Sequence, residues 1–174
     1  VIPCLWELKK TYGRQFDQFR HLGLAFAFVY GQAKGETIRA DWMDWVAAGR
    51  PVPSCSESFG YYLQHQGEML YALDILPWPL LLHIADNDVP MAEREWALRH
   101  YRDRSLESLG RIHSDPKYIT GDRARTYTEV SGAMAIPAIL QRGGVCSQQA
   151  YYASGVFKCP VSYTHLTLPT KRIV

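Results

Sequence analysis

Apolar residues recur at helical steps through much of the chain. Phe16, Phe19, Leu22, Phe26 and Val29 stand three or four apart and predict a helix over residues 14–30, closed by Gly31 and Gly35. Ile38, Trp42 and Trp45 share one side of a second predicted helix over residues 37–48. The run Gly49-Arg50-Pro51-Val52-Pro53 breaks it. Ser54 or Ser56 can cap a third helix reaching to about Leu73, with Glu57 favourable in its first turn. Phe59, Tyr62, Leu63, Leu70 and Leu73 supply its apolar side, while Gly60 and Gly67 weaken it.

Further along, Leu76-Pro77-Trp78-Pro79 is a break, and Pro79 can start a short apolar helix over residues 80–84. Asp86-Asn87-Asp88-Val89-Pro90 reads as a turn and cap opening a helix over residues 91–102. On that helix Glu95 and Arg99 can pair outward, with Trp96, Tyr101, Met91 and Leu98 facing inward. Residues 104–126 are polar and read as a long connection holding one helical turn at residues 106–109. A short helix over residues 136–141 tolerates Pro137 in its first turn and stops at Gly143. Another follows to Lys158, with Cys146, Ala150, Ala153 and Phe157 on one face. The expected architecture is therefore mainly α. A helical domain covers residues 1–105, a connection 106–126, and a second domain begins at 127–160.

Both termini change the picture. Val161-Ser162-Tyr163-Thr164-His165-Leu166-Thr167-Leu168-Pro169-Thr170 resembles the translation of a transposase adapter from sequencing-library preparation. The frame GTC TCT TAT ACA CAT CTG ACG CTG CCG ACG encodes those residues in order. Lys171, Arg172 and Ile173 fit a variable index, so residues 161–174 are set apart from the fold as a non-native tail. The start, Val1-Ile2-Pro3, has no initiator Met and reads as internal to a longer gene, whose signal or anchor would lie upstream. Without the tail, 19 Lys and Arg become 17 against 17 Asp and Glu, and the apparent basicity vanishes. A neutral chain carries no argument for nucleic acid or an anionic membrane. The longest apolar run, Leu22 to Tyr30, is too short to span a bilayer. Cys4, Cys55, Cys146 and Cys159 show no C-x-x-C or zinc spacing and read as free, buried thiols, with a disulfide left open for an exported protein.

The candidate chemistry is at Gly143-Gly144-Val145-Cys146. A thiol in the first turn of a helix sits at the positive end of the helix dipole, beside N–H groups with no helical acceptor. Those conditions favour a thiolate and can cradle an oxyanion. The glycine pair lets other backbone or a substrate come close. Gly143-Gly144-Val145-Cys146-Ser147-Gln148-Gln149-Ala150 resembles the nucleophile segment of the transglutaminase-like superfamily, which shares its core with papain-type cysteine proteases. Glu93-Arg94-Glu95-Trp96-Ala97 is more loosely similar to the helical region ahead of that domain in bacterial members. The resemblance implies that Cys146 is the nucleophile, with Gly143, Gly144, Val145 and Ala150 as motif support. It also implies a truncated α+β core, a peptide or protein substrate and no cofactor. In that family a His and then an Asp follow the Cys on strands. Here the only later His is His165, inside the adapter-like tail, so no base is supplied and the chain is expected to be inactive.

Other features read blandly. Asp86-Asn87-Asp88 lacks the glycine and glutamate of a calcium loop. His65, His83, His100 and His113 are isolated, and the aromatics Trp42, Trp45, Tyr61, Tyr62, Trp78 and Trp96 read as core. Gln141 reads as a surface residue. There is no G-x-G-x-x-G, Walker A or H-E-x-x-H motif. The leading function is a thiol enzyme acting on amide bonds as a peptidase, amidase or transamidase. The alternatives are a non-catalytic member binding peptide or glycan, and a helical scaffold with a chance motif.

Overall fold

The computed structural model describes residues 1–31, 51–69, 71–120 and 134–159. Among these the chain is helical and holds no strand; its one sheet-like feature is an isolated parallel bridge between Tyr118 and Gly144. The helix expected over 37–48, the residues Leu70, Trp42 and Trp45, and the adapter-like tail lie outside the described residues. The described residues fall into two compact units. The first comprises 1–31, 54–69 and 71–86, and the second 51–53, 87–120 and 134–159.

The first unit opens with a helix the periodicity does not announce, α1 (Ile2–Tyr12). Pro3 suits its first turn, and Lys9 and Lys10 complement the dipole in its last. Leu8 is its one fully buried residue, so it carries no repeating apolar stripe to detect. The helix expected over 14–30 is two helices, α2 (Arg14–Gln18) and α3 (Arg20–Tyr30). They part at Phe19, whose backbone leaves helical geometry (φ −101°, ψ 35°) while its ring stays buried. The apolar spacing continues across that break and therefore hides it. The third helix, α4 (Cys55–Gln64), starts as expected: the Glu57 N–H donates to Ser54 Oγ at 3.2 Å and the Ser54 N–H donates to Glu57 Oε2 at 2.8 Å. It ends well before Leu73, passing at His65 into a 3₁₀ turn, Gln66–Glu68. Leu73 is buried from the following turn instead. The short apolar helix α5 spans Trp78–Ala85, with Pro79 in its first turn.

Helix α3 packs against α1, α4 and α5. At the centre, the Phe26 ring lies 5.9 Å from both Phe59 and Tyr62. Tyr12 meets Phe59 at 5.1 Å and donates its hydroxyl to the Ser56 carbonyl at 2.7 Å. That approach explains Gly60, where a Cβ would run into the Tyr12 hydroxyl. A packing need at this position outweighs the helix propensity lost. Cys4 and Cys55 are not free, contrary to the expectation for scattered cysteines: they form a disulfide linking α1 to the start of α4 across 51 residues. Spacing cannot show this, because the adjacency arises only when α1 packs on α4.

In the second unit, α6 (Met91–Tyr101) is followed by the single turn α7 (Leu106–Leu109), a 3₁₀ turn at Ile112–Ser114, α8 (Ile136–Arg142) and α9 (Cys146–Lys158). Helix α9 packs against α6, α8 and the 3₁₀ turn. Leu98 and Tyr101 are buried as expected and Glu95 reaches Arg99 at 3.8 Å, but Met91 and Trp96 are half-buried. Arg94 is instead fully buried. Its Nε donates to the Val89 carbonyl at 2.8 Å and its Nη2 to the Asn87 carbonyl. The 86–90 segment is the expected turn, with Asn87 Oδ1 accepting from the Val89 N–H at 3.1 Å, but it supplies no side-chain cap to α6. Glu93 accepts from the Ile136 N–H at 2.7 Å and so serves the first turn of α8.

Candidate functional site

Gly143 closes α8 at φ 92°, a conformation that favours glycine, and a Cβ there would also strike the Lys117 carbonyl. The next residue explains the close approach. The Gly144 N–H donates to the Lys117 carbonyl at 2.9 Å, and the Gly144 carbonyl accepts from the Ile119 N–H at 3.0 Å. The glycine pair thus admits the chain's own 117–119 segment. Gln149 adds a clamp, donating Nε2 to the Pro116 carbonyl at 2.8 Å.

Val145 is extended (φ −79°, ψ 175°), and its N–H donates to Gln148 Oε1 at 2.9 Å. Cys146 then occupies the first position of the thirteen-residue α9, exposed and free. The amides of Gly144 and Val145 are engaged, whereas those of Cys146 and Ser147 have no acceptor among the described residues. A thiol and two open amides therefore share one helix start, the arrangement that can receive an anion or a tetrahedral oxyanion.

The face of α9 that packs is not the one that carries Cys146, Ala150, Ala153 and Phe157. Gln148, Tyr151, Tyr152, Gly155 and Val156 are buried, while Ala150 is exposed and Ala153 and Phe157 are half-buried. Two tyrosines and a valine bury more apolar surface than two alanines and one phenylalanine, so they take the core side. The face bearing Cys146 and Ala150 is left outward, and Gln141 is exposed on α8. No histidine hydrogen-bonds to Cys146 among the described residues. His100 stacks on Trp96 at 4.7 Å, and His65 contacts Glu68 Oε1 at 2.7 Å. No cluster of three or more potential metal ligands forms among the described residues, and no helix there is long and apolar enough to cross a membrane.

Two further groups are buried, the free thiol of Cys159 as expected and a tyrosine pair that sequence spacing does not show. Tyr101 and Tyr152 hydrogen-bond through their hydroxyls, Tyr101 reaches Asp115 Oδ2 at 2.7 Å, and Arg104 meets the same oxygen at 2.7 Å. Burial pushes Tyr152 up to about 12 and raises Tyr101 further in the same direction, so both stay protonated donors. At the far end of α9, Cys159 is fully buried, with its Sγ 3.1 Å from the Gly155 carbonyl. Burial pushes its thiol up to about 12 despite the nearby Arg94 charge, which makes it inert. Tyr101 and Tyr152 stand 51 residues apart, so no local signal could reveal their pairing.

No family model matches the chain, and no curated protein or solved structure matches it either.

Proposed function

We propose that Cys146 is the nucleophile of a transglutaminase-like thiol enzyme acting on amide bonds as a peptidase, amidase or transamidase, and that residues 127–160 begin its α+β core. The observation that carries this is the exposed thiol at the first position of α9 beside the open amides of Cys146 and Ser147. The sulfur would add to the carbonyl carbon while the amides hold the oxyanion. Collapse would break the C–N bond, and the amine would leave with a proton from a general acid. Water or a second amine would then cleave the thioester. The described residues provide no histidine bonded to the thiol, so the 174-residue chain is expected not to turn over amides.

An activated ester separates nucleophile from acid, because p-nitrophenolate leaves without protonation. The test is acylation of the chain by a peptide p-nitrophenyl ester, followed by intact mass. The reference is Cys146→Ala/Ala150→Cys, which moves the thiol one turn along the same exposed face. Cys146 should acylate at least about tenfold faster, because only it stands at the open amides. Equal rates would remove the catalytic reading.

A second reading has its own support. The Gly143-Gly144 pair is accounted for by pairing with residues 117–119. A helical scaffold protein needs that glycine pair as much as an enzyme does, and it predicts the equal rates.

A further inference from the structure

A groove of about 430 Å³ runs along the first unit between α1 and the α2–α3 pair. Ile2, Leu5 and Trp6 line one side, and Phe16 and Leu24 the other. Its apolar surface is open: Ile2 is 79% exposed, Trp6 71% and Leu24 42%. Lys9 and Arg20 complete the lining. Lys9 is already paired with Asp17, but Arg20 has no carboxylate partner among the described residues. The charged residues of the groove's own lining are both cations, and the segment that builds it is net basic. Residues 1–31 carry Lys9, Lys10, Arg14 and Arg20 against Glu7 and Asp17, whereas residues 54–86 carry four acids and no Lys or Arg.

We infer that this groove docks an amphipathic helix of a partner protein, with apolar side chains seated against Trp6 and Leu24 and a carboxylate on Arg20. The occupant follows from shape and charge. A groove between two helices takes the ridge of a third, read as anchors at i, i+3, i+4 and i+7. Exposed tryptophan and arginine are the residue types that dominate such interfaces. A flat bilayer would leave the concavity between the helices unfilled. The inference is independent of Cys146.

The test titrates the full chain into a fluorescein-labelled amphipathic peptide with Leu and Phe anchors and Glu elsewhere, read by anisotropy. A twin peptide carries Lys in place of each Glu, and phosphatidylserine–phosphatidylcholine vesicles form the third arm. The Glu peptide should bind and the Lys twin bind more weakly. Trp6→Ala should abolish binding with the far-UV spectrum unchanged, since Trp6 is largely outside the core. Arg20→Glu should weaken the Glu peptide about fivefold and reverse the preference between the twins. Failure of the Glu peptide to bind, equal binding of both peptides, unchanged binding by Trp6→Ala, or sedimentation with vesicles when neither peptide binds would each overturn it.

Discussion

The two units bury different kinds of side chain. In the first, the centre is the ring cluster Phe26, Phe59 and Tyr62, and its buried polar residues are Ser58 and His65. Ser58 Oγ pairs with the Tyr30 hydroxyl at 2.8 Å, and His65 pairs with Glu68. In the second, Arg94, Asn87 and Gln148 are buried along with the hydroxyls of Tyr101 and Tyr152. Ring packing is largely non-directional and proportional to area, so the first unit draws its stability from volume filled. Buried hydrogen bonds are directional and costly to leave unmade, so the second unit draws its register from them.

That contrast can be broken by mutation, with hydrogen exchange read separately in each unit. Phe26→Ala should cost about 4 kcal/mol, because it removes a fully buried ring from the cluster, and should loosen the first unit. Cys4→Ser/Cys55→Ser should cost about 3 kcal/mol by urea denaturation, since it frees a 51-residue loop in the unfolded chain. Arg94→Lys should cost about 2 kcal/mol in the second unit, because one ammonium cannot repeat the fork to Val89 and Asn87; a neutral result would show that the fork sets no register. Tyr152→Phe should cost about 1 kcal/mol and leave the first unit's exchange unchanged.

At neutral pH the smallest effect comes from Cys159, whose contribution changes only as pH rises. Cys159 titrates near 9.0 when unfolded and is pushed up to about 12 by burial in the fold. The folded state therefore holds its proton longer, and this contribution is complete below pH 9 and falls as pH rises toward 12. At pH 10 the loss is about 1 kcal/mol. Cys159→Ala should flatten the urea midpoint over that range relative to the parent, and parallel curves would remove Cys159 as the cause.

Much of the helical layout was legible. The capping box at Ser54, the proline-started helices at Trp78 and Ile136, the turn at Leu106 and the stop at Gly143 all rest on neighbours within four residues. So did the place of Cys146 at the head of α9. The misses have one physical source. Helix α1 carries too few buried positions to be periodic, the break at Phe19 keeps the apolar spacing, and Arg94 sits among charged neighbours while its guanidinium goes inward.

What the chain determined by itself was therefore local: where backbone donors find caps, where proline and glycine permit a start or a stop, and which thiol stands at a helix head. Tertiary structure decided which cysteines bond, that Gly143-Gly144 admits residues 117–119, and that Tyr151, Tyr152 and Val156 rather than the alanines face the core. Those choices depend on partners distant in sequence and on which face buries more apolar area, and neither exists until the helices pack.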